Sequence, residues 1–102
     1  MLCGLILVTG AQAEPFNWGS LKQNKIELKL PLMTIQGAKG LLACGYVNVS
    51  TCDKTGEACA IVTGVGDYEQ MLGKPVVAVS KAASKLGVVL GMSGEQALEL
   101  MR

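Results

Sequence analysis

The 102 residues contain no histidine. That absence removes every mechanism needing an imidazole from this chain, from histidine-activated serine and cysteine nucleophiles to the paired-histidine zinc sites of metalloproteases. A second copy of the same chain cannot restore it. Aromatic residues number four, Phe16, Trp18, Tyr46 and Tyr68, without the regular Arg or Lys interleaving of a base-stacking platform. Charge is sparse as well: 17% of residues carry it, against about 25% in a typical domain. With a net charge of +1, nothing concentrates phosphates electrostatically. Lys22, Lys25, Lys29 and Lys39, with Glu27 among them, read as an ordinary solvated edge. No nucleic-acid partner is expected.

Long hydrophobic runs are missing too. The longest near the amino terminus is Leu5 to Val8, far short of the ~20 residues that cross a bilayer. No membrane association is expected. The opening "MLCGLILVTGAQA" ends in an Ala-x-Ala shape like a signal-peptidase site, but no Lys or Arg precedes it. The expectation is a first strand over residues 2–8 stopped by Gly10, and a cytoplasmic protein.

Four cysteines are present, Cys3, Cys44, Cys52 and Cys59, and no pair has the two-residue spacing of a zinc knuckle or a thioredoxin-type site. An even count admits a disulfide framework. The high aliphatic content favours reduced, mostly buried thiols, because such a chain builds a core without staples. No metal and no cofactor are expected.

What the chain does have is apolar surface. Half its residues are hydrophobic, which is a large share for one small domain spanning 1–102. The surplus needs cover, and a second copy is the usual source, with a symmetric dimer the simplest closure. Such an interface would be mostly aliphatic and would survive high salt.

The pattern along the chain gives strands first and helices later. "KIELKL", residues 25–30, alternates strictly, with Ile26, Leu28 and Leu30 on the face expected to be buried. Pro31 interrupts it, "LMTIQ" follows as a second extended piece, and "GAKG" signals a hairpin. "LLACGYV", residues 41–47, and residues 58–63 have no polar face and read as central strands covered on both sides, with Gly45 marking a bulge or close approach. Asn48 and Ser50 are N-cap candidates for a short helix ending near Gly56. Asp67 with Gln70 starts another, stopped by Gly73. The Gly-x-Gly before Asp67 reads as a turn and not as a phosphate loop, since Asp67 puts a negative charge where the phosphate would sit. Val76, Val79, Ala83 and Leu86 recur at helical spacing up to Gly87. "SGEQALELM" opens with a capping box, Ser93 and Gln96, on a helix burying Ala97, Leu98 and Met101. The sum is an α+β domain: a largely antiparallel sheet with helices on its faces, concentrated in the C-terminal half.

In this order and spacing, "KLP" at 29–31, "GLLACGYVNV" at 40–49, "AIVTGV" at 60–65, "MLGKPV" at 71–76, "LGV" at 86–88 and "GMSGEQAL" at 91–98 resemble the YunC-like family of small prokaryotic proteins of unknown function. The resemblance runs from about Leu28 to Leu100. It implies a cytoplasmic single-domain protein and no assigned activity. The family pattern includes Cys44 with Gly45, and Gly91, Met92 and Gly94. It leaves Cys3, Cys52 and Cys59 to structural roles.

Cys44 is the one candidate catalytic residue. It lies near the carboxyl end of a predicted strand that runs toward a helix start, where a thiolate is favoured. Asn48 and Ser50 are placed to donate to an oxyanion, while Asp53 and Lys54 are the nearest charges in sequence. No base partner is apparent, and a buried cysteine usually behaves as a small hydrophobe. The loop of Gly91, Ser93 and Gly94 is a second candidate, offering free amides for an anion, with Glu95 competing. Two readings follow. The first is a self-associating domain of unassigned activity; the second is a small-molecule-binding protein or small enzyme using Cys44 and amides near Asn48 and Gly91.

Overall fold

The computed structural model describes residues 16–102. The expectations for residues 2–8, Cys3 and the Ala-x-Ala segment lie outside them. Nine elements follow in order: β1 (Lys22–Ile26), β2 (Leu32–Gln36), β3 (Leu41–Ala43), α1 (Val49–Thr55), β4 (Cys59–Ile61), α2 (Tyr68–Gly73), β5 (Ala78–Val79), α3 (Lys81–Lys85) and α4 (Gly94–Met101). The strands form one sheet in sequence order. Three neighbouring pairs are antiparallel; β3 and β4 are parallel, joined by the crossover helix α1. The architecture is the α+β domain expected, with most of its helix in the C-terminal half.

Register decides which side chains meet. Ile35 sits opposite Leu42, and Leu42 opposite Ala60, so these share a face with Met33. On that face α2 and α4 bring Met71, Leu98 and Met101, all fully buried. Each such side chain contributes on the order of 1.5–3 kcal/mol. Gly94 sets the spacing between the two helices, since a Cβ there would overlap the Met71 carbonyl oxygen and press on Leu42. The capping box of α4 is present in full: Ser93 Oγ accepts from the Gln96 amide at 3.1 Å, and Gln96 Oε1 accepts from the Ser93 amide at 3.0 Å.

The other face is covered mainly at β4, where α1 packs. Asn48 caps α1, its side chain accepting from the Ser50 amide at 2.8 Å. Gly56, at φ +80°, ends the helix in the left-handed region, where glycine carries no Cβ penalty. The amides of Gly56 and Glu57 both turn back to the Cys52 carbonyl, which folds the chain over the helix and brings Cys59 against Cys52.

Several expectations need correction. Cys52 and Cys59 are joined by a disulfide, with Cα atoms 6.3 Å apart, so they are not reduced core thiols. The high aliphatic content does not exclude the bond, because the reversal at Gly56 makes the two side chains neighbours. The first strand ends at Ile26, before the chain bends through residues 27–31, and Ile26, Leu28 and Leu30 are 55%, 49% and 70% exposed, not buried. The third strand stops at Ala43, not Val47, and Gly45 lies in the turn that follows. The helical spacing from Val76 is also broken: Ala78 and Val79 pair with Ile61 and Ala60 as β5, and the helix starts only after Ser80. Ser80 enforces that break. Its hydroxyl is fully buried, donates to the Glu57 carbonyl at 2.8 Å, and accepts from the amides of Cys59 at 2.8 Å and Ala83 at 3.3 Å. Three bonds to one oxygen fix the junction where a continuous helix would have run.

A loop as short as that closed by Cys52 and Cys59 gives about 2.5 kcal/mol by chain entropy. Replacing both residues by alanine is expected to lower unfolding stability by about that much, a fall in Tm of roughly 10 °C or more for a domain of this size. Thermal melts with circular dichroism, with and without reductant, check it; the alanine variant is expected not to respond to reductant.

Candidate functional site

The parallel pairing places the carboxyl ends of β3 and β4 side by side. The loops leaving them, Cys44–Tyr46 and Thr63–Gly66, face the bend between β1 and β2 at Leu30 and Pro31. These three segments enclose a cleft of about 710 Å3, within the range usual for small-molecule sites. Its walls are mainly apolar, from Leu30, Pro31, the Tyr46 ring and Val65, and its polar side-chain groups are the Thr63 and Tyr46 hydroxyls and the Cys44 thiol.

Cys44 forms part of the cleft and is 4% exposed. Its geometry explains why β3 ends there. Thr34 pairs with Ala43, so Met33 stands opposite Cys44. Half of a regular antiparallel pair is made, the Cys44 amide donating to the Met33 carbonyl at 3.1 Å. The Met33 amide does not return the bond to the Cys44 carbonyl. It donates to Cys44 Sγ at 3.3 Å. The carbonyl, released from the ladder, accepts instead from the Val47 amide at 3.1 Å and closes the turn. The thiol in turn points toward the Pro31 carbonyl at 3.9 Å. One sulfur therefore satisfies a buried amide, ends a strand and ties the β1–β2 bend to the cleft.

The remaining candidates are dispersed. Asn48 is committed to capping α1, and Ser50 is exposed on that helix. Gly91 has φ +90° and donates to the Val76 carbonyl, Gly94 donates to the Lys74 carbonyl, and Ser93 bridges to Pro75. None of these five lines the Cys44 cleft. Among the described residues no group of three or more Cys, Asp or Glu is arranged to hold a metal. No described helix is long and apolar enough to cross a membrane. Sequence reasoning missed Leu30, Pro31, Thr63, Gly64, Val65 and Gly66. The available signal is the Gly-x-Gly at 64–66, a turn that also lines the cleft.

A family described as "Domain of unknown function (DUF1805)" matches residues 43–101. The chain belongs to this family. "Uncharacterized protein YunC" of Bacillus subtilis is 32% identical over 80 residues, covering 72% of this chain and 79% of that protein. A crystal structure of a protein of unknown function from Thermoplasma acidophilum is similar with a TM-score of 0.71 and 27% identity, over 87% of this chain and 100% of the other. The YunC-like resemblance of the sequence is thus confirmed, and the relatives are, by their own descriptions, uncharacterised. The family match includes Cys44 and both glycine-bearing loops of the cleft but stops short of the wall at Leu30 and Pro31.

Two outcomes follow for Cys44. In the native protein its thiol is expected to react with a soluble maleimide or disulfide reagent at least about tenfold more slowly than free cysteine at the same pH, with full reaction on unfolding; fast native labelling, mapped by mass spectrometry, would contradict the geometry. Cys44→Ala is expected to cost about 1–3 kcal/mol because it orphans the buried Met33 amide. Cys44→Ser keeps an acceptor and is expected to lose less, as denaturant titrations of the two variants will compare.

Proposed function

We propose that this is a self-associating cytoplasmic domain whose β1 edge pairs with the β1 edge of a second copy. The observation that carries the reading is the exposed Ile26 on an unpaired edge strand, flanked by opposite charges. All of β1 is exposed, and the edge away from β2 has no strand beside it among the described residues. Edge strands left open in this way are templates for pairing. Lys25 and Glu27 flank Ile26, and their side chains meet at 3.4 Å on one side of the chain. Antiparallel pairing with a two-fold axis at Ile26 sets Ile26 against its own copy, and each Lys25 opposite a Glu27 of the second chain. Opposite charges directly across a pair are favourable and like charges are not. The same contact covers apolar surface on the face that α1 leaves open.

The cytoplasmic location rests on the family resemblance. The Cys52–Cys59 bond is buried in the folded chain, its two residues 6% and 1% exposed. The net charge of +1 supports the absence of a nucleic-acid partner.

A second reading, binding of a small molecule, is favoured by one observation: Cys44 and both loops leaving the parallel strands converge on the same cleft. Crevices at the carboxyl ends of parallel strands are where open α/β sheets bind ligands.

Light scattering at low micromolar concentration and low salt is expected to give twice the 10.6 kDa chain mass, and high salt is expected to weaken the dimer, because exposed Lys25–Glu27 pairs cross it. Ile26→Lys is expected to give monomer. Lys25→Glu sets like charges across the pair and is expected to weaken the dimer about tenfold, while Lys25→Glu combined with Glu27→Lys restores it. A wild-type monomer, or a double variant as weak as the single one, would refute the pairing.

A further inference from the structure

We infer that the Cys44 cleft takes a small monocarboxylate with an apolar body, its carboxylate held at the Gly64 lip by Lys74. The inference rests on the small-molecule reading and adds the ligand's chemistry. Four observations meet at that lip. Gly64 has φ +70°, so the loop passes through the left-handed region with no side chain in the way. The Lys74 ammonium lies 3.9 Å from the position a Cβ would take on Gly64. Among the described residues Lys74 has no ion pair; the two pairs present are Lys25–Glu27 and Arg102–Glu99. The Gly66 amide donates to Gln70 Oε1 and the Val62 amide to the Ala43 carbonyl, but the amides of Thr63, Gly64 and Val65 between them have no acceptor among the described residues. An uncommitted cation and uncommitted amides at one edge of an apolar cleft select an anionic group on an apolar body.

The neighbouring charge limits that anion. Asp67 follows the loop directly, its carboxylate accepting from the Gln70 amide at 2.7 Å. Glu69 in the first turn of α2 adds a second negative charge nearby. These two carboxylates repel a phosphate dianion more strongly than a monocarboxylate, so of the two anions they leave the singly charged one favoured. The apolar body is set by Leu30, Pro31, Tyr46 and Val65. Tyr46, about half exposed, lines the cleft with an aromatic side chain, suited to a flat hydrocarbon or aromatic group.

The experiment uses the full chain, with 1-naphthoate as probe and naphthalene-1-methanol as its neutral counterpart, followed by amide shifts in 1H–15N spectra. Naphthoate is expected to shift Gly45, Tyr46, Gly64, Val65 and Gly66, and to bind about fivefold more tightly than the alcohol, the size of effect that one partly exposed ion pair supplies. Lys74→Gln, a change on an exposed side chain, is expected to erase that fivefold difference and leave alcohol binding unchanged. Equal binding of both probes, unaffected by Lys74→Gln, would overturn the carboxylate assignment while leaving the cleft as an apolar site. No shift at the cleft with either probe would overturn the small-molecule reading itself.

Discussion

The parallel pairing of β3 with β4 is the constraint on which the rest of the molecule depends. Parallel neighbours cannot be joined by a hairpin, so the chain must cross over, and α1 is that crossover. The crossover returns both strands in the same direction, which puts their two exit loops at the same end of the sheet. Without that, the Cys44 and Gly64 loops would not share a cleft. The Cys52–Cys59 bond ties the crossover helix to the strand it delivers, and the buried Ser80 hydroxyl ties the same strand to the start of α3. The central strand β4, three residues long, is thus held from outside the ladder.

The two faces of the sheet are unequally covered, and sequence composition explains why. The helices with long apolar side chains are α2 and α4, and both pack on the Leu42 face, in close contact at Gly94. The helix left for the other face is α1, whose one buried residue is Cys52. A helix so poor in apolar side chains covers β4 and little more. The half-hydrophobic composition therefore surfaces in part at Ile26, Leu28 and Leu30, in and beyond the β1 edge, and in part at Val77, Val89 and Leu90. The β1–β2 hairpin carries both the free β1 edge and, at Leu30 and Pro31, a wall of the cleft.

Much of this was legible in the sequence, and the failures share a cause. Cap chemistry is local, so Asp67 with Gln70 and Ser93 with Gln96 stand as read from a few residues, and of the two cap candidates Asn48 and Ser50 the structure uses Asn48. The turn at "GAKG" and the central position of β3 were read for the same reason. What was missed depends on contacts distant in sequence. The Ser80 hydroxyl reaches Glu57 and Cys59, more than twenty residues away, and that reach overrides the helical spacing of Val76, Val79, Ala83 and Leu86. The alternation at 25–30 does not make one strand: the chain leaves the ladder after Ile26, and Ile26, Leu28 and Leu30 stay exposed. Of the cleft, Cys44 was anticipated; its partners were not, because Leu30, Pro31 and Thr63–Gly66 join it only through the sheet's topology.

The role of the thiol follows from this topology more than from its reactivity. A strand that must end within a sheet leaves an amide on its neighbour without an acceptor, and burial makes such an orphan costly. Water cannot serve Met33, which is fully buried. A side chain must supply the acceptor from the position opposite, and it must be small enough to leave the cleft open above it. Cysteine meets both conditions, and its thiol hydrogen finds the Pro31 carbonyl without demanding a polar cavity. Serine would satisfy the amide with a stronger acceptor but would place a more strongly solvated hydroxyl against Leu30, Pro31 and Val65. A sulfur that is weakly polar is thus suited to a position where one bond must be made and the surrounding walls are apolar. The cleft then owes its floor to the same atom that ends the strand, so strand termination and site formation are a single structural event at Cys44.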